Sequence, residues 1–356
     1  MPVYPLGEFD INRAKHFGFV NLGIAENSLA FSRWISPKRT RSYPFARIYD
    51  TFHVSNRKVT IIPIIKDEGA DSANNDRINF MTFSWMSLLN VYIVLAWYET
   101  ASRKSGDKEL ITSQRLNANH VREKLTALGS YHLSALHWNT THFQEDFEPL
   151  FLKAVNSYQQ ISALTQTRLH APEDHLRVLD RYRKHGRFDL HAFKEETLMR
   201  SHSAAARETQ TTHAAEFLQD GTKNLFYISN YLGGEYYLSP DEVYIEDGVL
   251  VIQESKNSTK GTNLPTRDDL KDGLFKLILY GNLKQVYLNN QEMMFRVRLK
   301  ITGGFAGRLL LPQNDSVVVE FCQRNHFTRQ QAVLIESLNQ ETHDNPKLSI
   351  LLSGRG

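Results

Sequence analysis

An Asp-Gly pair between two alternating apolar runs is the strongest short-range instruction for a two-residue β-hairpin. This chain has one at Asp247-Gly248, between Val243-Tyr244-Ile245-Glu246 and Val249-Leu250-Val251-Ile252. With those two residues as the loop, Glu246 and Val249 close the turn. Counting outward then sets Asp241 opposite Glu254. Opposed residues share a face, with β-carbons roughly 4.5–5.5 Å apart. Lys256 lies two residues beyond Glu254 and so shares that face as well. The expected result is two carboxylates and an ammonium at one end of an apolar face made by Val243, Ile245, Leu250 and Ile252. By the same parity Glu242, Glu246 and Gln253 point to the other side, and the two glutamates are expected at the surface. Two carboxylates that close repel unless a positive charge sits between them, and a divalent metal is the natural candidate.

The 356 residues allow two ordinary domains or one large one, and 41% hydrophobic content is enough for a real core. Cys322 is the single cysteine, which excludes an intramolecular disulfide and any multi-cysteine zinc site. That usage fits a reducing cytoplasm. The N-terminal residues lack a basic region followed by an apolar run, so no secretory signal is expected. Met81 to Ala96 is apolar but interrupted by Asn90, Ser84 and Ser87, and reads as a buried core helix, with no membrane span.

Along the chain, Lys38, Arg39 and Arg41 lie among Trp34, Tyr43 and Phe45, a mixture that suits either a nucleic-acid backbone or a solvated loop. Lys58 to Ile65 is a β-branched run in which Pro63 signals an edge or a bulge. It ends in Lys66-Asp67-Glu68-Gly69, where the carboxylates follow the lysine, and reads as a strand end with a charged turn. A helix with Trp85, Leu88, Leu89, Tyr92 and Ala96 on one stripe is expected next, then helices near Val121–Leu128 and Phe147–Leu164. His132, His137 and His142 recur every five residues, about 140° apart on a helix, so they do not make a metal site. Glu173 to Arg187 reads as a charged helix whose basic run is a solvated face. The small polar stretch 200–213 is the best boundary. It divides a mixed, mainly helical region, 1–200, from a second domain, 201–325, followed by a C-terminal helix and polar tail, 326–356. Within the second domain the reading is a helix with Phe217, Leu218, Leu225 and Ile228, a strand at Glu235–Leu238, and the hairpin. A helix capped by Thr266 follows, with strands at Phe295–Ile301 and Ser316–Phe321, and then a helix at Thr328–Leu338.

Pro240-Asp241, twelve residues, then Glu254-Ser255-Lys256 resembles the PD-(D/E)XK nuclease motif, and the order of elements around it resembles that family's αβββαβ core. The resemblance covers about Thr212 to Phe321 and implies an α/β (α+β) fold with a restriction-endonuclease-like core. It implies that Asp241, Glu254 and the backbone carbonyl of Ser255 bind Mg²⁺, with Mn²⁺ as a possible substitute. Lys256 would act on the attacking water and the phosphate, and Glu216 would be a further acidic ligand from the first helix. Asn257, Ser258 and Lys260, in the loop beyond the motif, are residue types that commonly contact phosphates. The resemblance is greatest to type II restriction endonucleases, which implies duplex DNA as substrate, a homodimer, and target recognition or assembly by residues 1–200. Repair, recombination or transposon-type nucleases, or a non-catalytic DNA-binding protein on the same fold, are the alternatives.

Overall fold

A computed structural model describes residues 2–23, 28–37, 57–70, 75–107, 109–199, 226–238, 240–259, 263–281, 283–288 and 290–354. They form two compact units. The first takes in the described residues up to 199 together with 228–236, and the second takes in 226–227 and the described residues from 237 to 354. Lys38, Arg39, Arg41, Glu216 and Lys260, the expected boundary at 200–213 and most of the helix expected before Ile228 lie outside the described residues.

The first unit is mixed, as expected, and its helices are organised around a five-stranded sheet. In order across the sheet the strands are β1 (Val3–Pro5), β2 (Phe17–Asn21), β3 (Ser28–Arg33), β4 (Arg57–Pro63) and a fifth at Val91–Ala96. Pro63 does not mark an edge. β4 is hydrogen-bonded on both sides, and the proline falls at its end, past the last residue paired with β3. The apolar stretch expected as one helix divides in two. Helix α1 (Phe80–Leu88) ends at a turn in which Asn90 takes φ 56°, and β5 (Val91–Ala96) follows with every residue buried. A strand buried on both faces has no alternation, so periodicity alone does not separate it from a buried helix.

Helices α2 (Ala118–Gly129) and α3 (Ala135–Thr165) are close to expectation, although α3 starts earlier, where the Ser134 side chain accepts from His137 N–H. Side chains of α3 fix it to β5. Asn139 accepts from Ile93 N–H at 2.7 Å and donates to Val91 O, Trp138 donates to Ile93 O, and His142 accepts from Leu95 N–H. Further along, Phe143, Phe147 and Phe151 pack with Tyr182, Phe188 and Phe193 in an aromatic core, with Phe147 and Phe188 stacked 4.4 Å apart. The charged helix is shorter than expected. α4 (Pro172–Arg181) gives way to a hairpin, Arg183–Lys184 with Arg187–Phe188, because His185 and Gly186 take left-handed conformations. Two of its basic residues are paired within the protein, Arg183 with Glu148 and Asp180 and Arg181 with Glu196, while Lys184 and Arg187 are exposed. The Lys66-Asp67-Glu68 turn is not solvated. Asp67 is fully buried and accepts from His170 N–H and from the His170 ring, and Lys66 pairs with Glu68 at 2.6 Å. Among the described residues no helix is long and apolar enough to cross a membrane.

The second unit carries the hairpin. Strands β6 (Glu242–Glu246) and β7 (Val249–Asn257) pair antiparallel with Glu242 against Gln253 and Glu246 against Val249, the register counted from the turn. Asp247 and Gly248 have φ 52° and 77°, as a type I′ turn requires. A polar loop and helix α5 (Arg267–Gly281) then cross over to β8 (Phe295–Gly303), which lies parallel to β7. Asp269 N–H bonds Thr266 Oγ1, which caps α5 as expected.

The remainder departs from expectation in three places. Residues 316–321 are not a strand but part of helix α6 (Asp315–Arg324), which buries Val318, Phe321 and Cys322 at helical spacing. The β-branched run there has strand propensity, which tertiary packing overrides. After β9 (Arg308–Leu311) and α6, helix α7 (Arg329–Asp344) begins with a capping box at Thr328. The polar tail is in fact strand β10 (Leu348–Gly354), inserted between β8 and β9, so the sheet order is β6-β7-β8-β10-β9. The strand expected beside the hairpin, Glu235–Leu238, belongs to a separate two-stranded sheet with Phe226–Ser229, a stretch that had been assigned to a helix.

Candidate active site at the hairpin

The register brings Asp241, Glu254 and Lys256 to one face at the end of β7. Asp241 is the residue immediately before β6, and its Oδ2 accepts the backbone N–H of Ser255 at 2.7 Å, which ties it to the opposite strand. Glu254 is completely buried. Its Oε2 accepts from Lys276 Nζ at 2.9 Å, while its Oε1, equally buried, has no hydrogen-bond partner among the described residues. Burial is the main reason the Glu254 carboxyl is pushed up to about 7. Asp241 adds to the rise, and the Lys276 and Lys256 charges oppose it. Lys256, largely buried, lies 3.5 Å from Asp272 Oδ2.

Asp272 and Lys276 come from α5, and sequence reasoning missed both. They stand one helical turn apart and reach the strand crosswise, Asp272 to Lys256 and Lys276 to Glu254. A signal was present in Gly273 between them. A glycine inside a helix costs about 1 kcal/mol relative to alanine, so it marks a close approach. A β-carbon at Gly273 would lie 3.0 Å from Lys256 Cε and 2.9 Å from Leu299 Cδ1. The helix therefore sits directly on the stem of the site lysine.

Of the apolar face, Val243, Leu250 and Ile252 are buried, but Ile245 is 55% exposed at the turn end. The opposite face is the larger correction. Glu242 is buried, not at the surface, Glu246 is half-buried, and Gln253 beside them is buried as well. Alternation along β8 puts Arg296, Arg298 and Lys300 on that face. Gln253 donates to Glu242 and accepts from Tyr244, and Arg298 donates to Tyr244 and to both oxygens of Glu246. Arg296 also pairs with Glu246, and Lys300 with Glu242 at 3.7 Å. This network stiffens the hairpin from behind and uses up the acidic neighbours of Asp241.

Among the loop residues named for phosphate contact, Asn257 is exposed and its side chain accepts from Thr302 Oγ1. Ser258 is buried and donates its N–H to Thr302 O at 2.8 Å.

The donor set suits a hard divalent cation. It offers two oxygen ligands from facing strands, one of them a buried oxygen with no other partner, and the backbone of Ser255 between them. Among the described residues no group of three or more His, Cys, Asp or Glu side chains is arranged to hold a metal, so two carboxylates are what this part of the chain supplies. No family model matches the chain, and neither a curated protein nor a solved structure matches it.

Proposed function

We propose that this protein is a Mg²⁺-dependent endodeoxyribonuclease that hydrolyses phosphodiester bonds at the end of β7, with Asp241, Glu254 and Lys256 as its catalytic residues. The observation that carries this reading is the buried Glu254 carboxylate, with one oxygen unpaired, set against Asp241 and beside Lys256. Burying an ionisable group without satisfying it is costly, and a site that does so with a second carboxylate alongside is suited to a cation.

Phosphodiester hydrolysis needs an activated water and compensation of the charge that develops on the phosphate. A bound divalent cation would supply both, held by Asp241 Oδ1, Glu254 Oε1 and the Ser255 carbonyl. Ser255 N–H fixes the Asp241 carboxylate. Lys256 places an ammonium at the same end of the sheet, where it offsets phosphate charge, and Asp272 orients it. The order of β6, β7, α5 and β8 is compatible with the nuclease core that the motif resembles. A restriction-type role, a homodimer, duplex DNA as substrate and a prokaryotic cytoplasmic setting are proposed with it.

The test is incubation with supercoiled plasmid and phage DNA in Mg²⁺ or Mn²⁺. Discrete bands support a sequence-specific restriction activity, whereas smearing or structure-dependent nicking points to repair or recombination. Asp241→Ala and Lys256→Ala should each lower cleavage by at least about a hundredfold, the scale of a lost charge-stabilising group. No cleavage with either metal, or cleavage unchanged in both variants, defeats the proposal.

A further inference from the structure

The unpaired oxygen of Glu254 owes its position to the other oxygen's partner. Lys276 Nζ holds Oε2 at 2.9 Å, and Oε1 is left without a partner in a place closed to solvent. The site has a second lysine on the strand itself, yet Lys256 lies against Asp272, one turn earlier on the same helix. The two ion pairs are therefore sorted by the helix, with Lys276 assigned to the buried carboxylate and Lys256 to the exposed edge of the site. Lys276 is 29% exposed at its side chain and Glu254 not at all, so the lysine reaches inward from the surface to meet the carboxylate. A buried anion held at one oxygen by a charged donor keeps a fixed orientation for the other.

We propose that Lys276 is a positioning residue for the metal site: by occupying Oε2 it orients Glu254 so that Oε1 is presented to the divalent cation beside Asp241. This rests on the nuclease reading above but concerns binding and not turnover. The opposite role is also concrete. A lysine that merely filled the cation's place would have to leave before the metal entered, and its removal would tighten binding.

The sign of the change in affinity separates the two. Mn²⁺ binding to the full-length chain without DNA is measured by calorimetry for the wild type, Lys276→Met and Lys276→Arg, with urea unfolding of each as a check on folding. Lys276→Met is expected to weaken Mn²⁺ binding roughly ten- to hundredfold, the usual effect of losing a group that orients a metal ligand. Lys276→Arg, which keeps a charged donor, is expected to stay within a few-fold of the wild type. Equal or tighter binding by Lys276→Met overturns the inference, as does an equal loss in Lys276→Arg. A wild-type chain that binds no Mn²⁺ instead defeats the metal-site reading itself, so the two failures are distinct.

Discussion

Glu254→Gln tests the energetics of the site without any substrate. The Glu254 carboxyl titrates near 7 in the folded protein, against an ordinary value near 4.5, and burial is the first cause. An elevation of that size corresponds to roughly 3 kcal/mol. The sign follows from proton counting. Between about pH 4.5 and 7 the unfolded chain has given up this proton and the folded chain still holds it. The folded state binds more protons there, so stability falls as pH rises. The contribution is fully present below the unfolded value and gone once the pH exceeds the folded one. A metal-free wild-type protein should therefore lose up to about 3 kcal/mol more between pH 4 and pH 8.5 than Glu254→Gln loses.

The assay must report on the right unit. All four tryptophans, Trp34, Trp85, Trp97 and Trp138, belong to the first unit, whereas β7 belongs to the second. Hydrogen exchange of the 249–257 peptide, in chelator across a urea series, reads the second unit directly. Glu341, on α7, is buried and also pushed up to about 7, first by burial and then by Asp344. It adds the same slope to both proteins, so the difference between them isolates Glu254. Adding Mn²⁺ at pH 8 should restore stability to the wild type and not to the variant, because a ligand that binds only the folded state stabilises it by mass action. Parallel pH profiles for the two proteins would refute the assignment of Glu254 as a buried carboxylate under strain from desolvation.

Other perturbations probe separate links. Gly273→Ala should change stability by no more than about 1 kcal/mol, since gained helix propensity offsets contact with Leu299. It should nonetheless lower cleavage about tenfold or more by shifting Lys256, with Mn²⁺ affinity retained; unchanged cleavage would deny that α5 sets the lysine. One glycine inserted between Asp247 and Gly248 moves Asp241 to the other face, so Mn²⁺ binding by calorimetry should be lost while far-ultraviolet circular dichroism still shows a folded chain. Asn139→Leu in the first unit leaves Ile93 N–H buried without its partner, at about 1–3 kcal/mol, and tryptophan fluorescence in urea should show the loss.

The geometry of the pair at Asp241 and Glu254 was legible because a hairpin register is a local property. Asp247-Gly248 admits one favoured turn, and counting from it needs no knowledge of the rest of the fold. Everything that required a partner from elsewhere was less legible. Glu242 and Glu246 looked like surface residues because nothing near them in sequence offers a counter-charge; the cations come from β8, about fifty residues on. The tail looked polar because Ser349 and Ser353 alternate with Leu348, Ile350 and Leu352, and the strand's place inside the sheet depends on β8 and β9 being there to receive it. The β-branched run at 316–319 and the apolar run at 91–96 show the same limit from the propensity side. The first became a helix and the second a strand, according to which faces the rest of the chain covers.

That division explains the character of the site. The hairpin brings the two carboxylates together by local rules, but an unaided hairpin could not hold them. Asp241 and Glu254 repel, and Glu254 is buried at a cost of desolvation. What makes the arrangement tenable is supplied from a distance on each face: Asp272, Gly273 and Lys276 of α5 on the side of the carboxylates, Arg296, Arg298 and Lys300 of β8 on the other. The crossover from β7 through α5 to β8 therefore does more than complete a sheet. It returns the cations that pair with the hairpin's carboxylates, and it leaves one carboxylate oxygen, Oε1 of Glu254, without a partner among the described residues.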